Sequence, residues 1–322
     1  MKILITGGAG FLGQRLARRL LERGELNGKP ISELVLLDVV RASDPKLLDD
    51  KRVRAETGDI ADRAVLERAI DTETQAIFHL AAIVSGQAEA DFELGMRINL
   101  DASRLLLEVC RARGHAPRVL FTSSVAVYGG TLPDVVQDDT ALNPQSSYGT
   151  QKAIAELLLS DYSRRGFVDG RVLRLPTISV RPGKPNAAAS SFASGIIREP
   201  LNGERAVCPV DGKTRLWLLS PKSAIEVLIA GLEIDRTALG IRPVVNMPGL
   251  SVSVDEMVAA LREVAGEEAV ARIDWQPEER VEKIVGSWPG AWDTARATQL
   301  GLQGDKNFAD VIRAYIADEL PR

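Results

Sequence analysis

Lys2-Ile3-Leu4-Ile5-Thr6-Gly7-Gly8-Ala9-Gly10-Phe11-Leu12-Gly13 opens the chain with a short apolar run that passes straight into a glycine turn. The run at 2–6 reads as a buried strand. Leu12, Leu16, Leu20 and Leu21 then recur at helical spacing over 11–23. Between strand and helix, Gly7, Gly10 and Gly13 are spaced GxxGxxG. Such a turn lets backbone N–H groups approach a pyrophosphate, and the helix N-terminus adds its partial positive charge. Gly13 allows the helix to pack closely on what precedes it. A strand, this turn and a helix in that order predict a nucleotide site, with a purely structural tight turn as the alternative.

The same rhythm continues outward. Residues 33–38, 53–56, 76–80, 118–122 and 171–175 read as further strands, and 64–70, 99–113 and 148–164 as helices between them. Apolar strands alternating with helices predict a parallel sheet covered on both faces, and right-handed crossovers make it doubly wound. After Leu175 the rhythm breaks. Pro176, Pro182, Gly183, Pro185, Pro200, Gly203, Pro209 and Gly212 mark loops. A helix at 189–197 ended by Pro200, a strand at 244–246 and helices at 254–265 and 308–319 follow. The expected architecture is α/β: a doubly wound parallel Rossmann sheet over 1–175, with a segment around 214–250 returning to it. The rest of 176–322 is expected to form a smaller C-terminal substrate-binding cap.

Composition narrows the class. The 322 residues are 45% hydrophobic and 26% charged with a net charge of −4, so neither nucleic acid nor an anionic membrane is an expected partner. No apolar run reaches the roughly 18–20 residues of a membrane span, and the chain opens on a strand pattern, not a signal peptide. A cytoplasmic location follows as an expectation. Cys110 and Cys208, His79 and His115 provide neither a disulfide framework nor a metal centre. His79 reads as structural, His115 as solvated and Cys110 as core.

Asp38 ends the second strand, 25 residues after Gly13. A carboxylate there can accept both hydroxyls of an adenosine ribose and repel a 2′-phosphate, which selects NAD over NADP. The alternative is a solvated strand-end acid, with Arg41 nearby to greet a phosphate. Tyr148 and Lys152 lie four apart at a helix start and share a face. An ammonium beside a phenol lowers its pKa from about 10, giving a base for a substrate alcohol. Ser123 and Ser124 fall at the C-terminal end of the fifth strand, where a hydroxyl can hold a substrate oxygen or cap the turn.

The glycine turn, Thr122–Gly129 (TSSVAVYG) and Tyr-x-x-x-Lys at 148–152 together resemble the extended short-chain dehydrogenase/reductase superfamily, NAD-dependent epimerase/dehydratase-like, along the whole chain. The resemblance implies that Tyr148 accepts the proton, that Lys152 also holds the nicotinamide ribose, and that Ser124 orients the substrate. It implies cofactor contacts at Gly7, Gly10, Phe11, Leu12, Gly13 and Asp38. Asp59 and Ile60 would lie at the adenine, Leu80, Ala81 and Ala82 along the cofactor, and Pro176, Thr177 and Ile178 at the nicotinamide carboxamide. Asn99 and Ser123 join this set, Asn99 from the helix behind the site. A homodimer through helices 99–113 and 148–164 is also implied.

Stretches beyond the shared signature, at 78–85, 126–133, 174–186, 190–204 and 247–254, resemble sugar-acid dehydrogenases within that superfamily. They imply NAD-dependent oxidation of the C2 hydroxyl of a four-carbon sugar acid. Ser124-Val125-Ala126 stands where dehydratases of this fold carry Thr-Asp-Glu, so water elimination lacks its acid and base. Thr177 replaces the asparagine usual in epimerases, while Arg215 matches their diphosphate arginine. A small hydroxy acid needs a cation for its carboxylate. Arg181, Lys184, Arg198 and Arg215 are the candidates, with Ser85 and Asn186 for the remaining hydroxyls. Each could equally be a solvated charge or a loop cap. A nucleotide-sugar 4-epimerase and a non-catalytic NAD-binding sensor are the alternative readings, and the Ser124/Tyr148/Lys152 set argues against the sensor.

Overall fold

The computed structural model describes residues 1–185 and 188–320. Strand β1 (Lys2–Thr6) runs into helix α1 (Phe11–Arg23), which ends on Gly24 in the left-handed conformation, φ 69°. Strands β2 (Glu33–Asp38), β3 (Val53–Thr57) and β4 (Thr74–His79) follow, then helix α2 (Ala102–Arg113) and strand β5 (Arg118–Ser124). Helix α3 (Ser147–Arg164) and strand β6 (Asp169–Leu175) complete the run read from the alternation. Beyond it lie α4 (Phe192–Leu201), α5 (Pro221–Glu233), strand β7 (Val244–Asn246), α6 (Val254–Val270) and α7 (Phe308–Glu319).

The seven strands form one parallel sheet in the order β7-β6-β5-β4-β1-β2-β3. Alternate residues of each strand face opposite sides, and both sides are apolar. Ile3, Ile5, Leu34, Leu36 and Phe78 pack under α1 and α5, against Leu16, Leu20, Leu228 and Leu232. Leu4, Val35, Ile77, Val119 and Val172 pack on the other side against Leu106, Val109 and Cys110 of α2 and Leu159 of α3. A third apolar cluster, with Ile196, Ile197, Val254, Met257, Leu261 and Ile312, gathers α4, α6 and α7 beside the sheet. Arg215–Leu219 belongs to a separate small sheet, between Leu250–Ser253 and Thr177–Ile178. Among the described residues no helix is long and apolar enough to cross a membrane.

Three elements differ from their sequence reading. The helix expected from 99 begins as a π-helical turn, Met96–Asp101, before α2 proper. Such turns re-aim a side chain within a helix, here that of Asn99. Pro200 lies inside α4 instead of ending it, in the last turn, where its missing N–H costs a single hydrogen bond. Helix α6 breaks at Gly266, φ 81°, and resumes to Val270.

Candidate active site

The C-terminal ends of β1, β2, β4, β5 and β6 open onto a cleft of about 600 Å³. This is where ligands bind in doubly wound sheets, because the strand order reverses there and leaves a crevice. Gly7 sits at φ +71°, and a Cβ on it would lie 2.8 Å from the Ala81 amide nitrogen; a Cβ on Gly13 would overlap the Gly7 carbonyl oxygen. The turn therefore closes only with glycine, and it leaves the N-terminus of α1 facing the cleft beside Gly10, Phe11 and Leu12. Asp38 lines the same end. Its carboxylate accepts from the Ala9 amide at 3.0 Å and the Val39 amide at 2.8 Å, which ties the end of β2 to the glycine turn. Asp59 and Ile60 line the cleft next to it. Arg97, unread in the sequence, donates to Asp59 at 2.6 Å.

Leu80, Ala81 and Ala82 run along one wall. Asn99 does not line the cleft. Its Oδ1 accepts from the Ile83 amide at 2.8 Å, and its Nδ2 donates to the Ile83 carbonyl at 3.1 Å and to Gln151 at 2.7 Å. It braces the loop that forms the wall, and the π-helical turn aims it there. His79, at the end of β4, is held between Thr6 at 2.7 Å and Ser103 at 3.0 Å. Burial, aided by Lys152, pushes it down to about 3, so it stays neutral.

At the far end β5 delivers the two serines. Ser124 caps the following turn by accepting from the Ala126 amide at 3.1 Å, and its hydroxyl favours the ionised form of Tyr148. Of the two roles read for this pair, the turn cap falls on Ser124. The Ser123 hydroxyl is buried at the cleft with no partner in the protein. Helix α3 starts against β5 because Gly149 leaves no room for a side chain: a Cβ there would run into the Ala126 carbonyl. That contact sets Tyr148 over Ser124.

Lys152, one turn on, is 1% exposed and donates to the Thr122 carbonyl at 2.9 Å. Its ammonium lies 5.7 Å from the Tyr148 ring centre. The expected lowering of the phenol by this lysine is not what the protein alone produces. Burial pushes Tyr148 up to about 12, opposed by the nearby Ser124 hydroxyl, and burial pulls Lys152 down to about 7, opposed by Glu156. Each group resists its own charge because water is excluded from both.

Pro176, Thr177 and Ile178 close the cleft from the cap side together with Ser85, Arg181 and Trp288. Ser85 accepts from the Ala189 amide at 3.3 Å. Arg181 is anchored by its backbone: its amide donates to Ser194 at 3.0 Å and its carbonyl accepts from Arg198 at 2.8 Å. Burial, then the neighbouring Arg198 charge, lowers the Arg181 pKa. Arg198 also donates to Glu199 at 2.6 Å and is absent from the lining. Lys184 is exposed. Arg215, at the start of the middle strand of its small sheet, is exposed, lies 3.2 Å from Glu256 and is not among the described residues that line the cleft. Asn186 lies outside the described residues. Trp217 and Trp292 pack together in a buried cluster with Val127 and Tyr128.

The residues present fit a dinucleotide. The glycine turn leaves space that any Cβ would fill, a helix N-terminus points at it, and a carboxylate stands at one end. At the other end the orphaned Ser123 hydroxyl awaits a partner.

The model of the NAD dependent epimerase/dehydratase family matches residues 3–229. The chain is 68% identical over 322 residues to a D-erythronate dehydrogenase of Cupriavidus necator, covering 99% of this chain and 98% of that protein. It is 48% identical over 316 residues to a D-erythronate dehydrogenase of Haemophilus influenzae, covering 98% and 99%. Among solved structures, a protein described as a nucleoside-diphosphate-sugar epimerase from Agrobacterium tumefaciens superposes with a TM-score of 0.94 at 47% identity, over 99% of this chain and 94% of that one.

Proposed function

The chain belongs to the NAD dependent epimerase/dehydratase family, and from that premise we propose that it oxidises the C2 hydroxyl of D-erythronate to 2-oxo-tetronate, with NAD as cofactor. The observation that carries the reading is the end-to-end similarity to D-erythronate dehydrogenases, which spans the cleft residues as well as the fold. NAD, when bound, takes up the hydride that leaves C2. Gly7, Gly10, Gly13 and the α1 N-terminus would hold its pyrophosphate, Asp38 the adenosine ribose, and Lys152 the nicotinamide ribose. Ser124 donates to the substrate oxygen, and Tyr148, in its phenolate form, takes the hydroxyl proton as the C2–H bond breaks. The third cluster is the substrate cap. Among the described residues that line the cleft the cations are Arg97, Lys152 and Arg181. Arg181 lines the cleft beside Thr177 and Ile178 on the cap side, and it is the cation we assign to the substrate carboxylate.

The Agrobacterium relative keeps a nucleotide-sugar epimerase in view as the competing reading. One assay separates them. D-erythronate with NAD should yield NADH steadily, whereas a uridine diphosphate sugar should give neither NADH nor epimers. Epimer interconversion beside inert D-erythronate would overturn the proposal. With NADP the same assay should give at least tenfold lower kcat/KM, about 1.4 kcal/mol, and Asp38→Ala should narrow that gap.

A homodimer through α2 and α3 also belongs to this reading. Leu157 is 67% exposed and Ile154 36% exposed on α3, apolar area that a partner helix pair would cover. Sedimentation should return twice the chain mass, and Leu157→Glu should return the monomer.

A further inference from the structure

Behind Lys152 lies a buried ion pair that the steps above do not use. Glu156 follows Lys152 by one helical turn on the same face of α3, and the two are 2% and 1% exposed. Arg174, on β6, grips the Glu156 carboxylate with one edge of its guanidinium, Nε at 2.9 Å and Nη2 at 2.7 Å. The other side of that fork is tied as well. Arg174 Nη1 donates to the Tyr128 hydroxyl and, at 3.3 Å, to Asn246, and the Tyr128 hydroxyl donates to Asn246 at 3.0 Å. Glu156 is thus fixed in place by Arg174, one helical turn from Lys152.

We propose that Glu156, oriented by Arg174, is a positioning residue that keeps Lys152 charged in the interior and so sets the pH range over which the Tyr148–Lys152 pair works. The inference rests on Lys152 serving the reaction proposed above. A buried ion pair is a poor device for stability, since apolar side chains of similar volume commonly do as well or better. A charge beside another charge acts at once on its proton affinity. The groups around Lys152 leave this task to Glu156. From β5 come the Thr122 carbonyl and the Phe121 ring, 4.6 Å away, neither of which carries a charge. From β4 comes His79, which is neutral, and from α3 itself Tyr148, which holds its proton. Arg174 of β6 and Tyr128 lie beyond Glu156 and bind it or each other. Glu156 acts on the ammonium against the effect of burial.

Breaking the pair from either side removes the same contact but opposite charges. Both apparent pKa values of the coupled site should therefore move in opposite directions. The test measures kcat/KM for D-erythronate against pH in the full chain with NAD, and NAD affinity by calorimetry over the same range. Glu156→Gln should displace the whole profile, and the pH midpoint of NAD affinity, by about one unit toward acid. Arg174→Gln should displace both toward base. Glu156→Asp, which keeps the charge, should leave them in place. Equal losses of activity at an unmoved profile would show a purely structural pair and overturn the inference. Should Arg174→Gln fail to fold, the contrast between Glu156→Gln and Glu156→Asp decides alone. A wild type that makes no NADH from D-erythronate would overturn the function instead, and the NAD midpoint would still test Glu156.

Discussion

Tyr148→Phe lowers kcat for D-erythronate by about 10²–10⁴, the range for loss of a general base, and leaves NAD affinity close to wild type. The substitution keeps the ring, so its packing against the cleft wall survives. What is lost is the oxygen that accepts the substrate proton. The pH dependence sharpens the test. Burial holds Tyr148 up at about 12, opposed by the nearby Ser124 hydroxyl. The phenol therefore keeps its proton at neutral pH in the protein alone, and oxidation by the wild type climbs as pH rises from the acid side. The opposing limb comes from Lys152, which burial brings down to about 7 and which loses its charge as pH rises. The Tyr148→Phe variant should lose the climb along with the rate. Steady-state kinetics across pH and calorimetry with NAD measure both. A variant that retained a tenth of wild-type turnover would remove Tyr148 from the mechanism.

Arg181→Lys raises KM for D-erythronate and lowers kcat together. The carboxylate lies one bond from the carbon that gives up hydride, so the group gripping it also sets the angle at which C2–H faces the cofactor. A guanidinium offers two parallel donors and fixes that angle; an ammonium offers a point charge on a mobile stem. Loss of position affects kcat and loss of grip affects KM. The backbone of Arg181 is pinned by Ser194 and Arg198, so the replacement changes the head group and little else. The same logic makes erythronamide a poor substrate, by about 2–3 kcal/mol in kcat/KM, because a charge-assisted pair is absent. Parallel kinetics on acid and amide check both. Equal turnover of the two would show that no cation reads the carboxylate.

The readable parts of this protein were those in which chemistry is local. The GxxGxxG turn, Asp38 at the strand end and the four-residue spacing of Tyr148 and Lys152 depend on near neighbours, and each stands at the cleft. Arg181 and Arg215 show where that reading stops. Both are arginines among apolar residues after Leu175, and pattern alone ranks neither above the other. Arg215 opens a strand whose register with Ser253 turns it toward Glu256 on the rim. Arg181 is turned inward by contacts to α4. Those orientations are set by pairings tens of residues apart. Asn99 stands behind the site, as the sequence places it, but its bonds to the Ile83 loop arise from a π-helical turn that apolar spacing cannot tell from an α-helix. The phenol's proton affinity is legible only in part: the charge of Lys152 is visible in the sequence, and the exclusion of water from both groups is not. Glu156 could have been found as the next residue on the Lys152 face; Arg174, inside an apolar strand, carried no signal of its partner.

Strand β7 pairs with β6 through Val244–Val172, Val245–Leu173 and Asn246–Arg174, yet some seventy residues separate the two in the chain. That long return imposes an order of events during synthesis. Six strands can emerge and associate while the seventh is still inside the ribosome, together with the α5 side chains Ile225, Leu228 and Leu232 that cover one sheet face. Through that interval β6 presents an unpaired row of backbone donors and acceptors to any other nascent chain, beside uncovered apolar surface. The last strand to arrive is thus also the one that ends the period of greatest exposure to aggregation, and a chaperone would be of most use between the translation of Leu175 and that of Asn246.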